Sequence, residues 1–183
     1  MGVLLTVAAL ALTGTPAWAQ PPTGGAAPGT AVFEGRVIDL SAGWQGAQSC
    51  VVFAGSQARC FASHAEADKV LGYRRDADPL VGQTARSAGA VAAAAVPSCS
   101  SGWLCLYESV NGGGRRLQFS DEYWHYLSDW GFNRQTSSWR NNQAAGDVGH
   151  LSLYNLTTVY NCTARGYALS MGSYNDQAYA VWG

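Results

Sequence analysis

The chain has 183 residues, 11 Lys+Arg against 12 Asp+Glu, and 48% apolar residues. A net charge of −1 gives no electrostatic footprint for nucleic acid or for an anionic membrane, and the balance is local, with six acids and six bases in residues 20–96 and six acids and five bases in 97–183. The length suits one or two small domains, and an aromatic content of 11% argues against disorder.

In chain order, an apolar run from Val3 to Leu12 is broken by Thr13-Gly14-Thr15-Pro16 and followed by Ala17-Trp18-Ala19. An apolar core ending in Ala-x-Ala reads as a secretory signal peptide over residues 1–19, with the mature chain starting at Gln20. No Lys or Arg precedes the run. It falls well short of the ~20 residues that a membrane span needs, so a secreted protein is expected. Ten of the 11 basic residues are Arg, a usage that, with abundant Ala and Gly, points to a bacterial source.

Residues 20–31, rich in Pro, Gly and Ala, read as a flexible leader. Val32 to Leu40 alternates as one strand. Cys50 and Cys60 flank a strand, a Gly55-Ser56 turn and a second strand. Ser63-His64-Ala65-Glu66 is a capping box and predicts a helix from Ala65 to about Tyr73. Residues 32–75 therefore form a small hairpin-plus-helix unit. Residues 76–96, Ala/Gly-rich and without a clear period, read as a linker, with a short Ala helix as the alternative.

From Cys99 the character changes to dense Trp and Tyr with many turn residues. Leu104 to Tyr107 alternates as a strand, Asn111-Gly112-Gly113-Gly114 is a turn, and Arg115 to Phe119 is a second strand with Leu117 and Phe119 on one face. Gly131 to Trp139 is a loop entering a strand, Asn141-Asn142 a turn, His150 to Tyr154 a strand, and Tyr179 to Trp182 the last. Short strands with Gly/Asn turns predict a mainly β sandwich. Two strings repeat in order. Leu104-Cys105-Leu106-Tyr107 returns as Leu151-Ser152-Leu153-Tyr154, and Phe132-Asn133-Arg134-Gln135 returns as Tyr174-Asn175-Asp176-Gln177. Two such units pack as two Greek keys around one core.

Export permits disulfides. Cys50 and Cys60 lie near the open end of one hairpin, and Cys99 and Cys105 close a small loop around Ser101-Gly102, so each pair is placed for a local bridge. Cys162 is left over. A buried thiol is expected, with an intermolecular bridge or a reactive thiol as alternatives.

Cys99 to Glu108, Gly113 to Phe119, Leu127 to Asn133 and Ser137-Ser138-Trp139 together resemble the secreted actinobacterial peptidase inhibitors of the Streptomyces metalloproteinase inhibitor type, a family with a βγ-crystallin-like fold. The resemblance covers residues 97–183 and is weaker in the second half. It implies a double Greek-key sandwich and a bridge between Cys99 and Cys105. It also implies a secreted protease as partner, blocked by a rigid loop, although no inhibitory loop can be mapped. Tyr107 and Gly114 fit the crystallin pattern, but Gly112 stands where a second aromatic is expected.

The same resemblance raises calcium. Ca²⁺ takes hard oxygen ligands, and the crystallin loop runs Asn/Asp-Asn/Asp-x-x-Ser/Thr-Ser. Asn133 to Ser138 matches except at Arg134. Asn175-Asp176 keeps the acidic half, with Tyr179 and Ala180 in place of hydroxyls. The candidate ligands are Glu108, Asn133, Ser137, Asn175 and Asp176, for at most a weak site. If the two loops exchange ligands, each site is expected to be half damaged. Ser138 is expected to be structural, and no cofactor is required.

Catalytic constellations are thin. His64, His125 and His150 lack zinc spacing, no Gly-x-Ser-x-Gly elbow exists, and Asp121, Glu122 and Asp129 read as solvated turn residues. An inhibitor without enzymatic activity is expected, as a monomer with no nucleic-acid or membrane partner. The rival class is a non-inhibitory βγ-crystallin module binding calcium or cell-surface carbohydrate. The dense aromatics Trp103, Tyr123, Trp124, Tyr126 and Trp130 would serve it, unless they are core.

Overall fold

A computed structural model describes residues 28–53, 57–154 and 157–183. The expected signal peptide, most of the leader and the Gly55-Ser56 turn lie outside the described residues. Among the described residues, twelve strands form two sheets, with two α-helices. In chain order the elements are β1 (Thr30–Phe33), β2 (Arg36–Asp39), β3 (Ser49–Phe53), β4 (Gln57–Phe61), α1 (His64–Val70) and α2 (Pro79–Ala95). The sandwich strands follow as β5 (Leu104–Ser109), β6 (Gly113–Phe119), β7 (Trp124–Tyr126) and β8 (Ser138–Asn141), then β9 (Gly149–Leu153), β10 (Val159–Cys162), β11 (Tyr167–Ala168) and β12 (Ala178–Trp182).

The first sheet runs β11-β8-β5-β6-β3-β4-β1-β2 and the second β10-β9-β12-β7. Strands β5 to β8 are one Greek key and β9 to β12 another. Each sends its third strand across to the other sheet: β7 pairs with β12, and β11 with β8. This exchange forces the two motifs to share one core, and it defines a double Greek-key sandwich.

Two local expectations are corrected. Val32 to Leu40 is a hairpin, not one strand, because Glu34 and Gly35 both take positive φ (48° and 75°) and turn the chain as a two-residue hairpin loop does. Residues 76–96, expected as a linker, carry α2, whose N-terminus is capped by the Asp78 carboxylate accepting from Leu80 N and Val81 N. Gly89, at φ 88°, breaks the helical path, which is why no helical period shows in the sequence. At α1, Ser63 Oγ accepts from Glu66 N at 3.2 Å and Glu66 accepts from Ala62 N at 3.1 Å.

The N-terminal strands are continuous with the sandwich. Strand β3 runs parallel to β6, with Cys50 opposite Leu117 and Val52 opposite Phe119. A single apolar cluster joins Phe33, Leu40, Trp44 and Val52 to Leu106, Phe119, Trp130 and Leu151. Alternation along β5 and β6 sends Leu104, Leu106, Leu117 and Phe119 into it. The opposite face of the same strands, with Cys105, Tyr107, Arg116 and Gln118, is also buried. There Val51, Phe61 and Ala67 of α1 form a second apolar cluster. The outer face of the first sheet is thus covered by the N-terminal unit.

Candidate functional site

The repeated aromatic-Asn-x-Gln strings lie in two loops, one ahead of β8 and one ahead of β12. They dock on each other reciprocally. Arg134 N donates to Ala178 O at 2.9 Å, and 42 residues on, Asp176 N donates to Thr136 O at 3.1 Å. Arg134 and Asp176 share φ 56°, a left-handed conformation that non-glycine residues adopt only at some cost. The pseudo-symmetry of the sequence repeat is therefore a symmetry of backbone geometry.

The loops bring together three of the five predicted ligands. Ser137 Oγ donates to Asp176 Oδ1 at 3.2 Å, and Asn175 Nδ2 donates to Asp176 Oδ2 at 2.8 Å. Glu108 is not among them. Its carboxylate binds Arg115, with Nη2 donating to Oε1 at 2.8 Å and Nε to Oε2 at 3.0 Å. Those hydrogen bonds hold its pKa below the usual carboxylate value. Asn133 keeps its place in the first loop, and its Oδ1, Thr136 Oγ1 and Asn175 Oδ1 are buried without a hydrogen-bond partner among the described residues.

The hydroxyl half of the first loop meets the acidic half of the second at Ser137–Asp176. Arg134 stands against Ala178 and, through Nε, 3.5 Å from Asp176 O. The oxygens present fit the hard-donor demand of one cation with a single carboxylate, opposed by a nearby guanidinium. Ser138 lies apart from them: its Oγ donates to Ser109 O at 2.7 Å and accepts from Gly112 N at 3.0 Å, pinning the β5–β6 hairpin.

Both local bridges are present, Cys50–Cys60 across β3 and β4 and Cys99–Cys105 around the small loop. The small loop is braced further by Asn142, whose Nδ2 donates to Cys99 O at 2.7 Å and whose carbonyl accepts from Gly102 N at 2.8 Å. Cys162 is free and fully buried, and burial pushes its thiol pKa up.

The aromatic set divides. Trp130 is buried, and Trp103 is half-buried edge-on to Phe53. Tyr123, Trp124 and Tyr126 are exposed. Asp121 is not a solvated turn residue. It is buried and meets His125 Nε2 at 2.8 Å, because His125 points inward beside Phe119 and Trp130.

Two residues that sequence reasoning did not single out organise this half of the molecule. Arg140, with no exposed side-chain surface, pairs with Asp78 at 2.6 Å and donates to Pro97 O at 2.7 Å. Arg116, equally buried, meets Asp68 at 2.7 Å and donates to Ser49 Oγ, Ser98 O and His64 O. Their only sequence signal is a cation at an alternating strand position, which ordinarily marks a solvated face.

Comparison with known proteins assigns this half of the chain. Residues 92–182, about half of the chain, match the model of peptidase inhibitor family I36. This segment belongs to that family, a family of inhibitors and not of enzymes. A solved structure described as "Evolution of the eye lens beta-gamma-crystallin domain fold" is similar over 46% of this chain and 87% of its own, with 15% identity and a TM-score of 0.40. No curated protein sequence gives a significant match.

Proposed function

We propose that the protein is an exported inhibitor of metalloproteases that occupies the protease cleft with a rigid loop of its sandwich. The observation that carries this reading is the match of residues 92–182 to a peptidase inhibitor family. Rigidity supports the loop mechanism. Loops held by a disulfide, by Asn142 and by the Ser138 hydroxyl are ordered before binding, so less conformational entropy is lost on association. Export is supported by the Ala17-Trp18-Ala19 pattern and by two disulfides. No helix among the described residues is long and apolar enough to cross a membrane.

The test titrates the mature chain against a thermolysin-like metalloprotease and against trypsin-like and subtilisin-like serine proteases. Stoichiometric loss of the metalloprotease activity alone is the expected result. Inhibition of the serine enzymes alone overturns the metalloprotease assignment, and no inhibition at micromolar concentrations overturns the whole reading.

The Ser137–Asp176 contact favours a second, compatible property, weak binding of one Ca²⁺ at that loop pair. Calorimetric titration with millimolar Ca²⁺ should give a single weak site that Asp176→Asn abolishes. A flat titration of the wild type removes the site.

A further inference from the structure

The two sheets differ in what lies outside them. The first is covered by α1, the Pro97–Cys99 segment and two buried arginines. The second exposes Trp124, Tyr126, Val159 and Asn161 on its outer face, and strand pairing fixes what stands there. Trp124 on the edge strand β7 is opposite Trp182 on β12, which is opposite His150 on β9, which is opposite Asn161 on β10. The next row runs Tyr126, Ala180, Ser152 and Val159, its middle pair buried and its two ends exposed.

Neither row holds an Asp, Glu, Lys or Arg. Trp124 and Tyr126 are 47% and 59% exposed, and their i, i+2 spacing places them on one face about 7 Å apart. Trp182 packs edge-on against Trp124, with centroids 5.8 Å apart and planes at 69°, so it fixes the Trp124 ring. The His150 imidazole and the Asn161 amide are joined at 2.9 Å and give the far end of the first row its hydrogen-bonding groups.

An exposed aromatic face on a small secreted domain marks a binding surface. Its chemistry selects the occupant. Neither row holds a cation, and the charges beside Trp124 and Tyr126 are the acids Asp121 and Asp129, so the attraction that a nucleic acid, an acidic peptide or an anionic phospholipid head group would need is missing. Rings that offer an apolar face, beside amide, imidazole and hydroxyl groups, suit a ligand with apolar C–H faces and a rim of hydroxyls. Such a ligand is a pyranose sugar. Because β7 is the last strand of its sheet, a long chain can run past the edge without obstruction.

We propose that the outer face of the second sheet binds a neutral polysaccharide of β-linked pyranose rings, with Trp124 and Tyr126 as its stacking platform. Binding there leaves the loops at the ends of the sandwich free, so an inhibitor could be held on an insoluble glycan while it acts.

The experiment is depletion of the mature chain from solution by powdered chitin and by microcrystalline cellulose, which share the linkage and differ in the N-acetyl group. The wild type should bind at least one of them. Trp124→Ala with Tyr126→Ala should weaken binding about tenfold or more, equivalent to about 1.4 kcal/mol, in a chain that stays folded. Trp124→Phe with Tyr126→Phe, which keeps both rings, should retain most of it. Failure of the wild type to bind either polymer overturns the proposal, as does equal binding by the alanine variant. A concentration-dependent dimer that the alanine variant abolishes, without polymer binding, overturns it by assigning the face to a second copy. Protease inhibition is read separately, so failure here leaves the inhibitor reading standing.

Discussion

Replacing Asp78 by Ala tests the buried Arg140 pair directly. Both side chains have no solvent exposure, and Asp78 Oδ2 lies 2.6 Å from Arg140 Nη2. The same carboxylate accepts from Tyr73 Oη at 2.9 Å and caps α2 through Leu80 N at 3.0 Å. Removing it strands a guanidinium in the interior, which costs about 3–5 kcal/mol, and loss of the cap adds about 1 kcal/mol. The terms overlap, so a loss of about 4 kcal/mol is expected against the 5–15 kcal/mol that folded domains of roughly this size possess. Urea unfolding followed by tryptophan fluorescence, with disulfides intact, measures it. Asp78→Asn keeps the amide oxygen for the cap and should lose about 3 kcal/mol, while Asp78→Leu with Arg140→Met should recover most of the stability. Asp76→Ala, at the exposed Arg74 pair, should leave the midpoint unchanged. A loss of less than about 1 kcal/mol for Asp78→Ala would refute the reasoning, because it would mean that the guanidinium finds water or another partner at no cost.

Four further outcomes follow from the same geometry. Gly131→Ala should destabilise by more than about 2 kcal/mol, since Gly131 has φ +58° and an added Cβ would stand 2.1 Å from Leu40 O; Gly146→Ala, with open space around it, should cost less in the same unfolding assay. Opening the Cys99–Cys105 bridge by replacing both with Ser should cost about 2 kcal/mol, the loop-closure value for so short a ring. His64 has its pKa lowered by burial first and by Arg116 second, so the unfolded chain takes up its proton first; stability should be full above the ordinary histidine pKa and fall as pH drops toward the folded value, and His64→Gln should flatten that slope below the ordinary histidine pKa. Cys162 should resist iodoacetamide in the native protein and label only in urea, because its thiol is buried and its pKa raised.

Local features of the fold are legible in the sequence, and non-local ones are not. The β5–β6 hairpin shows itself through alternation at Leu104, Leu106, Leu117 and Phe119 with glycines between. The capping box at Ser63 and Glu66 marks the start of α1 within one residue. Strand β7 escapes notice because Trp124-His125-Tyr126 is aromatic throughout: its inward residue is the polar one, and its outward residues are the apolar ones. Strand β11 has two residues and exists only by pairing with β8. The loop site was half legible. The repeat located both loops, but which halves meet depends on the reciprocal docking of Arg134 and Asp176, and the loss of Glu108 to Arg115 depends on a hairpin contact. Arg140 finds its counter-ion 62 residues away, a separation over which no spacing rule operates.

The two buried arginines also settle how the N-terminal strands relate to the inhibitor-family segment. A guanidinium on the outer face of an isolated sandwich would be solvated, and its burial would bring only a desolvation cost. Here Arg116 binds Ser49, His64 O and Asp68, and Arg140 pairs with Asp78, all of them outside residues 92–182. Pro97 O and Ser98 complete both sets from the segment that leads into β5. Strand β3 adds its backbone ladder to β6, and Arg115 lies over the Trp44 ring with its guanidinium carbon 4.8 Å from the ring centre. Apart from those of Pro97 and Ser98, each of these contacts needs a partner from both halves. The family segment in this chain is therefore built to have its first sheet covered by the N-terminal unit.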